Sequence, residues 1–109
     1  MRNNTLLFIL ALGLMFSPQK IYAADVFIGN EDVYECYIIE ETIAEKPDTI
    51  LVSVKNVRDG EVAEVVDWRF RSSGNTWHYK TSQMTERPVE LRPGTIADKI
   101  FRYCYRYLN

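Results

Sequence analysis

Histidine, cysteine and glycine are scarce in this chain of 109 residues, which holds one, two and five of them, respectively. A catalytic triad or a Cys–His pair would need the single histidine, His78. The glycines form no phosphate-binding loop, and no nucleophile stands in a pattern with a base. Two cysteines and one histidine cannot complete a closed structural zinc site. The sequence therefore predicts no enzyme, no metal site and no cofactor.

A hydrophobic run long enough for a transmembrane helix, which takes roughly 20 residues, is also missing. The main apolar stretch, residues 6–16, follows a short polar start with one positive charge, and Ala23 offers a small residue before a cleavage point. This order is typical of a secretory signal peptide, whereas the alternative is a buried N-terminal helix. We therefore expect residues 1–23 to be removed and residues 24–109 to form one small exported domain without a transmembrane segment.

An excess of basic residues is absent as well. The signal segment holds two basic residues and no acidic one, so residues 24–109 keep 11 basic residues against 15 acidic ones, a net charge of −4. Nucleic-acid binding normally requires a basic face, and anionic lipid attracts polybasic segments. We therefore expect neither nucleic acid nor an anionic membrane surface to be the main partner.

Both cysteines, Cys36 and Cys104, lie after the signal segment. Export would place them in an oxidising compartment, where an even number of cysteines indicates a disulfide. A bridge between them would stabilise the domain by roughly 4 kcal/mol through the long loop that it closes. The alternative is two free thiols that act as small core residues.

Strand patterns dominate the exported domain. Residues 33–39 are rich in β-branched and aromatic side chains, and residues 49–57, 64–71 and 76–82 alternate between apolar and polar positions. Both features are typical of half-buried strands. Residues 89–91 can add a short edge strand, and residues 44–48 are expected to form a turn because they contain Pro and Asp.

The alternation also constrains how neighbouring strands pair. A two-residue loop at Asp59-Gly60 would place Ile50 on the same face as charged side chains of the next strand. We therefore expect a three-residue loop with left-handed Gly60 in a bulge, so that Ile50 faces Trp68. In the following hairpin, a two- or four-residue loop places Trp68, Phe70, Trp77 and Tyr79 on one face.

A helix closes the predicted domain. Thr95 is a suitable N-cap, Asp98 complements the positive end of the helix dipole, and an apolar stripe that includes Cys104 runs to the end of the chain. Cys36 falls on the expected core face of the first strand, which favours a bridge from helix to sheet. We predict an α+β fold in which an antiparallel meander of about four twisted strands carries this helix on one face.

Polar and aromatic side chains on the remaining surface are candidates for binding. His78 is expected to face solvent because its neighbours in the strand face the core. The candidate binding surface consists of Tyr37, Arg69, Arg71, His78 and Tyr105. The alternative is that these are scattered surface residues, which are common on any protein.

Several short motifs follow one another in an order known from another group of proteins. They are YIIEETI at residues 37–43, VSVK at 52–55, WHY at 77–79 and PGTI at 93–96, the last of which opens a helix that bears Cys104. This order resembles the surface-adhesin E family of small exported bacterial domains. The resemblance implies a non-enzymatic envelope protein in which a disulfide ties the sheet to the C-terminal helix.

Two functions fit these observations best, and a small hydrolase is a third hypothesis whose only candidate base is His78. The first is a non-catalytic exported binding module of the envelope or cell surface, adhesive as the resemblance implies, with an unknown protein or glycan as its ligand. The alternative is a periplasmic inhibitor or accessory subunit of an envelope enzyme. The expected location is the periplasm, the cell surface or the medium.

Overall fold

The computed structural model describes residues 25–109 of the chain. The predicted signal peptide, residues 1–23, and the cleavage point after it lie outside the described residues. No helix among the described residues has the length and apolar character that a membrane-spanning helix needs.

Six antiparallel strands follow one another in chain order and form a single curled sheet, and one helix follows them. The elements are β1 (Asp25–Glu31), β2 (Tyr34–Lys46), β3 (Thr49–Arg58), β4 (Glu61–Ser73), β5 (Thr76–Thr81), β6 (Val89–Glu90) and α1 (Ile96–Leu108). The predicted α+β meander with a C-terminal helix is confirmed. The expectation of about four strands was too low, because β1 was not predicted, and the short edge strand expected at residues 89–91 is present as β6.

Strand β1 escaped sequence-based prediction because its alternation is broken. Phe27 pairs with Tyr37, but Gly29 pairs with Cys36, so Ile28 is an extra residue that forms a bulge. Gly29 has a φ of 153° and lies against α1, where an added Cβ would come within 3.0 Å of Ile96 Cδ1. The glycine therefore permits the close approach of helix and edge strand.

The hairpin between β3 and β4 has a different register from the predicted one. Asp59 and Gly60 form a two-residue turn with φ values of 53° and 81°, so the predicted three-residue loop is wrong. The extra residue, Ala63, lies instead inside β4, where the pairing shifts by one. Ile50 consequently pairs with Phe70, not with Trp68 as predicted. The apolar sets of the two strands nevertheless share a face, because a bulge can restore alternation at either place.

A larger irregularity interrupts the pairing of β2 with β3. Ile39 pairs with Ser53, and the next pair is Ala44 with Leu51, so the four residues 40–43 lie opposite one. The Thr42 hydroxyl donates to the Ile39 carbonyl (2.6 Å), and the Ser53 amide donates to Thr42 Oγ1 (2.8 Å). One side chain thus replaces the ladder hydrogen bonds that the bulge removes.

The predicted turn at residues 44–48 is shorter than expected. β2 continues to Lys46, and only Pro47 and Asp48 lie between the strands, with Asp48 at a φ of 57°. Aspartate tolerates this left-handed conformation better than most residues do. The strand extends to Lys46 because the bulge at Thr42 brings residues 44–46 back into register with β3.

The core lies between one face of the sheet and α1. Ile38, Val54, Phe70, Ile100 and Cys104 are among its fully buried members. The helix begins as predicted, since the Asp98 amide donates to the Thr95 hydroxyl oxygen (3.1 Å). Asp98 also accepts a hydrogen bond from the Gly94 amide (3.1 Å), so its carboxylate lies at the N-terminal end of the helix, where the dipole favours negative charge.

Aromatic rings fill the space where β4 and β5 meet the helix. The predicted grouping of Trp68, Phe70, Trp77 and Tyr79 on one face is confirmed, with Phe70 paired to Tyr79. The ring of Phe101 from α1 lies 4.8 Å from that of Trp77 and 5.5 Å from that of Phe70. Such contacts stabilise by about 0.5–1.5 kcal/mol each beyond the area that they bury.

The role of Thr42 in the bulge leads to a test. Thr42→Val keeps the size of the side chain but leaves the Ile39 carbonyl and the Ser53 amide without their partner. We expect the free energy of unfolding to fall by about 1–3 kcal/mol in urea titrations. Thr76→Val is the matched control, since Thr76 is a half-buried strand threonine whose hydroxyl has no hydrogen bond within residues 25–109. Equal stability changes in both variants would contradict this role.

Candidate functional site

Four of the five candidate residues lie on the sheet face that points away from α1. Arg69 and Arg71 alternate with the buried Trp68 and Phe70 in β4, and His78 alternates with Trp77 and Tyr79 in β5. Tyr37 lies on the same face, at the opposite end of the sheet. Tyr105 lies on the helix, and its side chain is 50 % exposed. The structure therefore brings three candidates together and separates the other two from them.

A row of paired residues crosses five strands at one end of this face. Lys46 pairs with Thr49, Thr49 with Arg71, Arg71 with His78, and His78 with Glu90. Side chains directly opposite each other on antiparallel strands lie about 5 Å apart on the same face. Lys46, Arg71 and His78 therefore lie along one line across the sheet, with Thr49 between Lys46 and Arg71.

A second row runs beside the first. Leu51 pairs with Arg69, and Arg69 pairs with Lys80. Successive residues on one face of a strand are about 7 Å apart, so this row lies next to the first one. The two rows together contain five basic side chains, which we call the basic sheet patch: Lys46, Arg69, Arg71, His78 and Lys80.

No ion pair joins Lys46, Arg69, Arg71 or Lys80 to an acidic side chain among the described residues, and Glu90 lies opposite His78. The ion pairs there join Lys55 to Asp25, Arg58 to Asp59 and Arg102 to Asp98. Arg69 faces Lys80 directly, and like charges at opposed positions of a sheet destabilise it. The patch is therefore a concentration of unneutralised positive charge on a domain of net negative charge.

Two members of the patch were not among the sequence-based candidates. Lys80 follows the same alternation as His78, so this signal was present in the sequence. Lys46 could not be found in this way, because it was assigned to a turn. It joins the solvent face only because the bulge at Thr42 shifts the pairing of β2 by three residues.

A cleft of about 330 Å³ lies at the side of the basic sheet patch. Arg69 and Lys80 line it together with Asp67 and Ser82, and the remaining wall residues are Leu51, Trp68 and Thr81. Cations, a carboxylate, hydroxyl groups and apolar surface thus meet in one small depression. A mixed lining of this kind is typical of sites that orient a polar ligand.

Tyr37 belongs to an apolar region at the far end of the same face. Its ring lies 5.5 Å from that of Phe27, which is 51 % exposed, in an edge-on arrangement. Desolvation and the nearby Glu35 carboxylate raise the pKa of Tyr37. Tyr37 does not contribute to the basic sheet patch. Phe27 was missed as its neighbour because β1 was not predicted.

The helix presents a second surface with aromatic and basic side chains. Phe101, Arg102, Tyr105, Arg106 and Asn109 line a depression of about 530 Å³. On the adjoining side of α1, the Tyr103 hydroxyl donates a hydrogen bond to the Glu40 carboxylate of β2. This bond, together with desolvation, raises the pKa of Tyr103 to about 12.

The two cysteines lie in the same core cluster, as expected from the strand and helix patterns. Both are free thiols in this structure, and both are buried. Burial raises the pKa of Cys104 to about 12 and is the main reason that the pKa of Cys36 is raised to about 11. Such thiols remain protonated at neutral pH and are poor nucleophiles. The disulfide between them stays a prediction.

No group of three or more His, Cys, Asp or Glu side chains within residues 25–109 is arranged to hold a metal ion. No family model, no curated protein and no solved structure matches this chain. The resemblance to the surface-adhesin E family therefore also stays a prediction. The geometry of the basic sheet patch remains the main basis for a functional proposal.

The predicted disulfide can be tested on protein purified from the oxidising compartment. We expect the intact protein to weigh two hydrogens less than its reduced form, and we expect no alkylation of thiols after denaturation without reductant. Alkylation of both Cys36 and Cys104 under those conditions would show that the bridge is absent.

The reduced protein has its own expected pH dependence. A thiol pKa raised from 9.0 to about 11–12 means that the unfolded state loses its protons first as the pH rises. The free energy of unfolding should therefore fall as the pH rises from about 9 to about 12. The slope should be smaller in a Cys36→Ala/Cys104→Ala variant, measured by denaturant titration at each pH. An unchanged slope would contradict the burial of the thiols.

Proposed function

We propose that this chain is a non-catalytic binding module of the bacterial envelope, and that it holds an acidic ligand on the basic sheet patch. In this proposal the domain is exported and acts as an adhesive domain at the cell surface. The signal-peptide pattern of the first 23 residues and the resemblance to the surface-adhesin E family support the location. The patch itself supports the binding role.

The like-charged pair of Arg69 and Lys80 carries the proposal. Opposite charges at paired positions would stabilise the sheet, whereas two cations side by side weaken it by several tenths of a kcal/mol. The fold gains nothing from this layout, but an anionic ligand that bridges the rows would gain charge-assisted hydrogen bonds.

The overall charge of the domain also supports a binding role for the patch. Acidic residues outnumber basic ones among residues 24–109, so a basic surface does not follow from the composition. The ladder hydrogen bonds of β3, β4 and β5 hold the backbone beneath the patch in place. Such a prepared surface binds with little loss of backbone conformational freedom.

A charge reversal at the centre of the patch separates binding from stability. Lys80→Glu would place a carboxylate opposite Arg69 and should raise the free energy of unfolding by about 0.2–1 kcal/mol. The same change should weaken retention on immobilised heparin and polyglutamate, so that the variant elutes at a lower salt concentration than the wild type.

Arg58→Glu is the matched control, because it makes the same change of charge at an exposed hairpin position at the other end of β3. It should elute close to the wild type. Failure of the wild-type domain to bind either polyanion at low salt would contradict the proposal, as would equal losses in the two variants.

The proposed location is tested by protease treatment of intact cells, compared with osmotic-shock release. Surface display predicts that trypsin removes the domain from intact cells. Protection on intact cells together with release by shock would place the domain in the periplasm, which contradicts an adhesive role at the surface.

A second candidate function, a periplasmic inhibitor or accessory subunit of an envelope enzyme, is supported by the helix surface. Tyr105 and Tyr107 are 50 % and 52 % exposed, and Arg106 lies between them. Tyrosine and arginine are, with tryptophan, the residue types enriched at the energetic centres of protein interfaces. This function predicts an enzyme partner whose copurification with the domain is lost in Tyr105→Ala and kept in Lys80→Glu.

A further inference from the structure

The cleft beside the basic sheet patch has two chemically different walls. Arg69 and Lys80 contribute cationic groups, while Asp67 contributes a carboxylate and Ser82 a hydroxyl. No ion pair joins Asp67 to either cation. A ligand in this cleft therefore meets positive and negative groups that do not neutralise each other.

The acidic wall is held in a fixed position. Ser53 Oγ donates to Asp67 Oδ1 (2.7 Å), and the Asp67 amide donates to Ser82 Oγ (3.0 Å). Asp67 Oδ2 accepts no hydrogen bond from the other residues of the 25–109 segment. Ser82 Oγ is used as an acceptor and keeps its own proton for donation. The wall thus offers a carboxylate acceptor and a hydroxyl donor at fixed places.

Apolar surface completes the lining. Leu51 is half-buried and presents hydrocarbon surface at the cleft, whereas the ring of Trp68 packs on Phe70 and Tyr79 in the core. The volume of about 330 Å³ lies at the lower end of the range of roughly 300–1,000 Å³ that small-molecule sites occupy. A compact unit of a longer ligand suits this size better than an extended peptide does.

We infer that the cleft binds an acidic sugar residue of a glycan. Arg69 and Lys80 hold the carboxylate, sulfate or phosphate of the sugar, and a ring hydroxyl donates to Asp67. A second ring oxygen accepts from Ser82, and the apolar face of the sugar ring packs on Leu51. This inference rests on the proposed function, because it names the ligand class of the same patch.

Asp67 distinguishes a sugar from other polyanions. A ligand that carries only anionic groups would be repelled by this carboxylate, which lies two residues from Arg69 on the same face. A ligand that carries both anions and hydroxyl donors uses all of the groups in the cleft. Acidic glycans combine the two, whether they come from a host surface or from the bacterial envelope.

Three probes of graded chemistry test the inference by isothermal titration of the mature domain. They are an unsulfated chondroitin oligosaccharide, its carboxyl-reduced neutral counterpart, and polyglutamate of matched charge. We expect the acidic oligosaccharide to bind more tightly than both of the others. A polygalacturonate oligomer added to the series tests whether the linkage matters, because it shares the uronate but differs in its linkages.

Asp67→Ala gives a result of opposite sign for the two classes of polyanion. It removes a hydroxyl acceptor, so the affinity for the acidic oligosaccharide should fall about tenfold. It also removes a repelling charge, so the affinity for polyglutamate should rise about twofold at low salt. Asp59→Ala is the control, since Asp59 is 93 % exposed in a distant turn, and it should change neither affinity.

The outcomes separate this inference from the proposed function. If polyglutamate binds as tightly as the oligosaccharide, and if Asp67→Ala strengthens both, the patch binds acidic polymers in general and the sugar inference is wrong. If no polyanion binds the wild type, the proposed function fails together with it. Loss of oligosaccharide binding in Lys80→Glu alone, with no effect of Asp67→Ala, would also overturn the role of the acidic wall.

Discussion

One 13-residue helix has to cover the apolar face of a six-stranded sheet, and the rest of the structure follows from that constraint. The sheet meets it by curling, so that the aromatic rings of β4 and β5 reach Phe101 of α1. At the other edge of the sheet, the missing side chain of Gly29 lets α1 approach β1 closely. A flat sheet would leave part of this face exposed to water, at a cost of roughly 25 cal/mol per Å².

The bulges that accompany the curling also decide which side chains reach solvent. Before the bulge at Thr42, Cys36 and Ile38 face the core. After it, Ala44 pairs with Leu51 on the solvent face. Lys46 consequently points away from the core and joins the row of Arg71 and His78. The proposed binding surface thus depends on a hydroxyl group that satisfies one backbone partner in its own strand and one in the neighbouring strand.

The regular parts of this fold are predictable from sequence, whereas its irregular parts are not. The alternation in β3 and the stripe of α1 each serve one buried face, so periodicity alone identifies them. The four residues 40–43 continue a β-type pattern, and nothing in that pattern shows that they lie opposite one residue. For that reason the sequence does not predict that Lys46 lies on the solvent face. Simple alternation does predict this for Arg69, Arg71 and His78. The predicted hairpin turn failed because a bulge at Ala63 gives the same apolar face as a bulge at Gly60.

The sheet treats its buried and exposed cations differently, and this difference bears on function. Lys55 lies on the same face as Arg69, but both it and its partner Asp25 have side chains that are only 2 % exposed, and their charges are 2.8 Å apart. A buried lysine without a partner would cost several kcal/mol, so pairing is required there. Arg69 and Arg71 are hydrated and need no partner for stability. The face can therefore keep positive charge available to a ligand without weakening the core, because its exposed cations are hydrated and its buried Lys55 is paired with Asp25.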